Sequence, residues 1–97
     1  MNEFFERLGR HWVVAAERRD ATISAPALDS RVALELLELA RVAAHTRERR
    51  FAPLSCYLAG VAAERLRSAK AGTDDADIAG FIEEVRHVLE AEAPPDA

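Results

Sequence analysis

The segment from about residue 30 to 49 constrains the fold most. Its polar residues Arg31, Glu35, Glu38, Arg41, His45, Glu48 and Arg49 recur as one helical stripe. Val32, Ala33, Leu34, Leu36, Leu37, Leu39, Ala40, Ala43 and Ala44 fill most of the remaining circumference. A helix that is apolar around so much of its surface needs neighbours on several sides. The pattern predicts a largely buried second helix with one narrow wet edge.

The rest of the chain supplies those neighbours as helices. It holds 97 residues, one domain's worth, with 20 Ala but only four Gly and four Pro. That composition favours helix throughout. A first helix is expected over about 2–19, with Asn2 as N-cap and Glu3 and Glu6 at the positive end of its dipole. Phe5, Leu8, Trp12 and Ala15 or Ala16 form its inner face, and Gly9 weakens it slightly. Pro26 marks the 20–28 connection, and Asp29 or Ser30 caps the second helix. Pro53 fits the first position of a third helix, about 53–71, with Gly72 as its C-terminal cap. The small residues Ala59, Gly60, Ala62 and Ala63 thin that helix so that another can approach closely. Thr73-Asp74-Asp75 caps a fourth helix, about 75–92, with Ile78, Phe81, Ile82, Val85 and Leu89 as its apolar stripe. The expected fold is all-α, a compact four-helix bundle over residues 1–93, with a disordered tail at 94–97.

Charge and composition exclude several function classes. The net charge is −4, and residues 73–97 carry eight acids and one base. An acidic domain is poorly suited to nucleic acid, which needs a basic face. The acidic last helix suits solvent, or a basic partner. No apolar run approaches the length of a membrane span, and Glu3 and Glu6 lie where a secretion signal carries bases. A cytoplasmic location is expected. One cysteine, Cys56, excludes an intramolecular disulfide framework.

Candidate chemistry is sparse. Glu84-Val85-Arg86-His87 has the spacing that puts a carboxylate and an imidazole on one helix face, but a di-iron bundle needs two such motifs. His45-Thr46-Arg47-Glu48 has the reverse order and sits among arginines, which repel a cation. Cys56 lies near the start of the third helix, where the dipole can lower a thiol pKa, yet no base accompanies it. His11 beside Trp12 reads as a packing or surface histidine. No Gly-rich phosphate loop occurs. The chain is read as no enzyme, with no cofactor and no metal.

The strongest site candidate is the junction between the second and third helices. Arg41, His45 and Arg49 follow one another at one-turn spacing, and Pro53, Leu54 and Ser55 open the next helix. Basic side chains beside the free N–H groups of Leu54 and Ser55 would suit an anion or an acidic partner, whereas ordinary dipole complementation explains the same residues structurally. Glu48 is expected to pair with one of these arginines. A homodimer is expected from surplus apolar surface on the first helix (Phe4, Phe5, Trp12, Val13, Val14) and the thin face of the third.

Three stretches carry a resemblance: Leu36-Leu37-Glu38-Leu39-Ala40-Arg41, then Ala44-His45-Thr46-Arg47-Glu48-Arg49, then Ala52-Pro53-Leu54-Ser55-Cys56-Tyr57-Leu58-Ala59-Gly60-Val61-Ala62. Over about residues 29–90 the chain resembles a small bacterial helical domain family of unknown function. Members stand alone, or are fused to or encoded near molybdenum-cofactor guanylyltransferase-like proteins. The 20–28 connection is longer, and Arg50-Phe51 bulkier, than that family's pattern. The resemblance implies a non-catalytic accessory or interaction domain with a nucleotidyltransferase-like partner. The alternative is a small-ligand module that binds an anionic metabolite or nucleotide at the junction.

Overall fold

The computed structural model describes residues 2–92 and is all-α. Four helices follow in order: α1 (Glu3–Glu17), α2 (Ser30–Thr46), α3 (Phe51–Ala69) and α4 (Asp75–Ala91). No strand occurs among the described residues. The expected disordered tail, 94–97, lies outside them. The chain divides into two compact units, one ending at Ser30 and the other beginning at Arg31.

In the first unit, Asn2 caps α1 as its position predicts, its side-chain oxygen accepting from the Phe5 N–H at 3.2 Å. The helix closes through a left-handed residue, Asp20 (φ 61°). The Asp20 N–H donates to the Glu17 carbonyl and the Ala21 N–H to that of Ala16, both at 3.0 Å. This is the paired closure usually built on glycine. Gly9 is the one buried residue of α1, and the returning 20–28 connection explains it. A Cβ there would lie 2.9 Å from the Pro26 carbonyl oxygen. The glycine that costs helix propensity is what lets this connection lie against the helix.

In the second unit, α2 contacts both α3 and α4. Leu39 of α2, Ala63 of α3, and Ile78 and Ile82 of α4 form the core, with Val32, Leu36, Ala59, Leu66 and Leu89 packed around them. The Cys56 thiol on α3 donates to the Leu36 carbonyl of α2 at 3.6 Å. Two findings depart from expectation. Leu34 and Leu37 are exposed, so α2 has a second, apolar edge beside its polar one. Nothing lies within 4 Å of a Cβ placed on Gly60, so Gly60 takes no part in the close helix approach expected of this small-residue stretch. Ala59 and Ala63 of the same stretch do pack in the core.

The connection from α3 to α4 follows its turn chemistry. Gly72 adopts φ 84°, the left-handed region open to glycine. Asp74 caps α4, its carboxylate accepting from the Asp77 N–H at 2.8 Å, while the Asp77 carboxylate accepts from the Asp74 N–H at 3.0 Å. The hydrogen bond from the Asp77 backbone holds the Asp74 carboxyl below its ordinary pKa. Among the described residues no helix is long and apolar enough to cross a membrane.

Candidate functional site

The α2–α3 junction lies earlier in the chain and is less regular than the helical spacing predicts, with residues 47–50 outside both helices. α2 stops at Thr46, whose hydroxyl donates back to the Val42 carbonyl at 2.6 Å. Arg49 therefore lies beyond the helix, and it does not continue the stripe of Arg41 and His45. α3 begins at Phe51, so Pro53 is its third residue, not its first. Proline is equally tolerated there, because the first four N–H groups of a helix lack intrahelical partners wherever the proline falls among them.

This earlier start relocates the free N–H groups. The Phe51 N–H donates to the Glu48 carbonyl at 3.0 Å and the Ala52 N–H to that of Arg49 at 3.2 Å. With Arg50 as N-cap, the N–H groups of Leu54 and Ser55 lie inside the helical ladder. The junction thus offers no fan of free donors at Leu54 and Ser55.

The six predicted site residues separate. Arg41 points into carboxylates, 2.9 Å from Glu38 and 3.7 Å from Glu90. Glu48 pairs with Arg50 at 3.2 Å, not with Arg41 or Arg49, and the Arg50 guanidinium lies 6.0 Å from the Phe51 ring centre. His45 and Arg49 are exposed, and neither has an ion-pair partner among the described residues. Leu54 is 59% exposed on the first turns of α3, and Tyr57, one turn on, is 72% exposed. Ser55 turns to the opposite side and lines a groove toward α4.

That groove is formed by α3 and α4, with Leu39 of α2 beneath it. Its volume is about 280 Å³, and its walls are almost wholly apolar: Leu58, Ala59 and Ala62 on one side, Phe81, Val85 and Leu89 on the other. Leu58 is 65% exposed and Val85 47%, so both walls open to solvent. Periodicity identifies these residues as an inner face; only the packing shows that they have no neighbour on one side.

Arg86 carries the chief polar feature that sequence reasoning missed. Its Nε and Nη2 donate to one oxygen of Glu35 on α2, at 3.3 and 3.1 Å, and Nη1 donates to Glu90 at 3.0 Å. The Arg86 and Glu35 side chains are only 12% and 17% exposed. Desolvation pulls the guanidinium pKa down, but the Glu35 hydrogen bond and charge outweigh it and the net shift is upward. Through Glu90 this cluster continues to Arg41 and Glu38, tying α4 to α2. Glu35 and Arg86 are 51 positions apart, and no local spacing announces the pair.

The remaining candidates are isolated. Glu84 and His87 are both exposed, and among the described residues no three His, Cys, Asp or Glu side chains gather as a metal site would require. Burial pushes the Cys56 thiol pKa up, opposite to the lowering a helix start would bring.

A family model described as a domain of unknown function (DUF6457) matches residues 5–97. No curated protein and no solved structure matches the chain.

Proposed function

We propose that this chain, which belongs to the DUF6457 family, is a non-catalytic accessory domain that works by docking another protein. The observation that carries this reading is the occurrence of Leu54 and Tyr57, both largely exposed, near the start of α3, with exposed His45 and unpaired Arg49 at the adjoining junction. Tyrosine and arginine are residue types enriched at interface hot spots. It fits a partner whose apolar pocket is rimmed by carboxylates. The resemblance names a class of client, a molybdenum-cofactor guanylyltransferase-like protein, for which this domain would be an accessory and not the catalyst.

Titration calorimetry with such a purified protein tests the reading. Tyr57→Ala and Arg49→Ala should each weaken binding at least several-fold without lowering the melting temperature, and added salt should weaken it further. Binding that ignores both substitutions overturns the reading. A melting temperature raised by phosphate, nucleotide or pterin alone would instead favour the small-ligand alternative, which the engaged N–H groups of Leu54 and Ser55 do not support.

A further inference from the structure

The first unit presents a different kind of surface. On α1, Phe4, Leu8 and Trp12 follow at four-residue spacing and lie along one side of the helix. Phe4 is 56% exposed and Trp12 55%, and Phe5 meets Phe4 edge-on with ring centres 5.1 Å apart. Among four Phe, one Trp and one Tyr in the whole chain, Phe4, Phe5 and Trp12 thus gather in the first turns of one helix. We propose that this stripe docks on an anionic lipid surface, with α1 lying flat and its aromatic side immersed at the boundary between headgroups and acyl chains.

The charges around the stripe are sorted as such a surface requires. At about 100° per residue, Arg7, His11 and Arg18 fall along one flank of the stripe, while Glu3, Glu6 and Glu17 fall on the far side of the helix together with Arg10. Arg19 stands at the end of the stripe, its guanidinium donating to the Ala15 carbonyl at 2.9 Å. Arg7, Arg18 and Arg19 are exposed, and no carboxylate pairs with them among the described residues. A flanking arginine can hold its charge at the level of the lipid phosphates while its stem covers apolar surface, and tryptophan favours the same boundary. The acidic excess of the chain does not oppose this contact, because it lies in residues 73–97, whereas residues 1–20 carry four acids and four bases.

A second copy suits the stripe poorly. A two-fold axis that pairs two α1 stripes antiparallel sets each flank against the same flank of the other helix, so the basic flanks meet. A parallel pair sets the basic flank against the side of Gly9, which the 20–28 connection already occupies, its Pro26 carbonyl oxygen 2.9 Å from a Cβ placed on Gly9. A fluid anionic surface meets neither obstacle. With one helix of 15 residues to hold it, the attachment is weak and reversible, and the arginines supply its preference for anionic lipid.

Trp12, the sole tryptophan, reports the contact directly. Vesicles of equal parts phosphatidylglycerol and phosphatidylcholine, titrated into the full chain at low salt, should shift its emission to the blue and carry the chain into the vesicle pellet. Pure phosphatidylcholine should do neither, and added salt should release the chain. Phe4→Ser should weaken the partition several-fold. Arg7→Glu should weaken it at least about fivefold, the factor that one basic residue near an anionic surface contributes, and Arg10→Glu on the far side should weaken it less. Circular dichroism checks that each variant keeps its helices. No blue shift and no pelleting with the anionic vesicles up to millimolar lipid overturns the proposal. Equal losses from Arg7→Glu and Arg10→Glu overturn it too, because net charge and not the flank would then govern binding. A Trp12 shift that a purified protein produces and vesicles do not would give the stripe to that protein instead. Tyr57→Ala should leave vesicle binding unchanged, so this proposal and the docking role at the junction can fail separately.

Discussion

Two glycines in helices, Gly9 and Gly60, should respond to the same substitution with opposite signs. Alanine gains about 1 kcal/mol over glycine from backbone entropy in a helix interior. At Gly60, nothing lies within 4 Å of the added methyl and the position is exposed, so Gly60→Ala should realise most of that gain. At Gly9 the new Cβ would sit 2.9 Å from the Pro26 carbonyl oxygen and 3.7 Å from the Ala25 Cβ. The first distance is shorter than any comfortable carbon–oxygen contact, and the obstacle is backbone, which cannot rotate aside. Overpacking of this kind costs about 1–3 kcal/mol. The net for Gly9→Ala is therefore a loss, roughly 0–2 kcal/mol after the propensity gain is subtracted. The assay is urea denaturation followed by circular dichroism and by fluorescence of Trp12, the sole tryptophan, which lies in α1 one turn from Gly9. Stabilisation by Gly9→Ala equal to that by Gly60→Ala would refute the reasoning, because it would mean that the 20–28 connection does not lie against α1.

Leu39 is 5% exposed at the centre of the second unit's core, and Leu39→Asp places an unpaired charge there; the loss should be several kcal/mol, enough to abolish the cooperative thermal transition. Breaking the α2–α4 tie with Arg86→Leu should destabilise more than Arg65→Leu, which removes an unpartnered surface cation; adding Glu35→Leu to Arg86→Leu should recover part of the loss in a double-mutant cycle, because it removes the stranded carboxylate. The Asp74 carboxyl has a folded pKa below its unfolded value near 3.9, so its stabilisation is present above about pH 4 and is lost as pH falls through the folded pKa. The stability gap between the native chain and Asp74→Ala, measured by urea midpoints from pH 7 downward, should shrink over that acid range and not at neutral pH. Burial that raises the Cys56 pKa should make its alkylation by iodoacetamide at pH 7 slower than that of free cysteine, and unfolding in urea should restore the ordinary rate.

Much of the fold was legible because each helix declares itself through several independent signals. Asn2 and Asp74 cap helices where their side chains suggest, and Gly72 supplies the left-handed turn. The core residues Leu39, Ile78 and Ile82 lie on the faces that periodicity selects. The junction was misread for a specific reason. Arg47, Glu48, Arg49 and Arg50 all have good helix propensity, so nothing in them marks the stop after Thr46. The start of α3 was misplaced because proline suits any position of the first turn. These two displacements, of three and two residues, remove Arg49 from the stripe of His45 and take the Leu54 and Ser55 N–H groups out of reach of a ligand.

What remained hidden depends on which surfaces meet. Leu54, Leu58 and Val85 are as periodic as Ile82, and a hydrophobic pattern records only that a side chain is apolar, not which neighbour covers it. The same limit applied to charge: spacing puts Arg41 in an anion-binding stripe and assigns Arg86 no role, yet both are engaged by carboxylates, Arg86 by Glu35 on another helix and both by Glu90. Once those cations are assigned to the α2–α4 tie, Arg49 at the junction and Arg65 on α3 stand among the exposed basic residues that no carboxylate engages. Exposed apolar groups accompany them in both places, Leu54 and Tyr57 at the first and Leu58 at the second. That coincidence of unpaired charge with uncovered apolar surface at the junction is what motivates the proposal of a docking role.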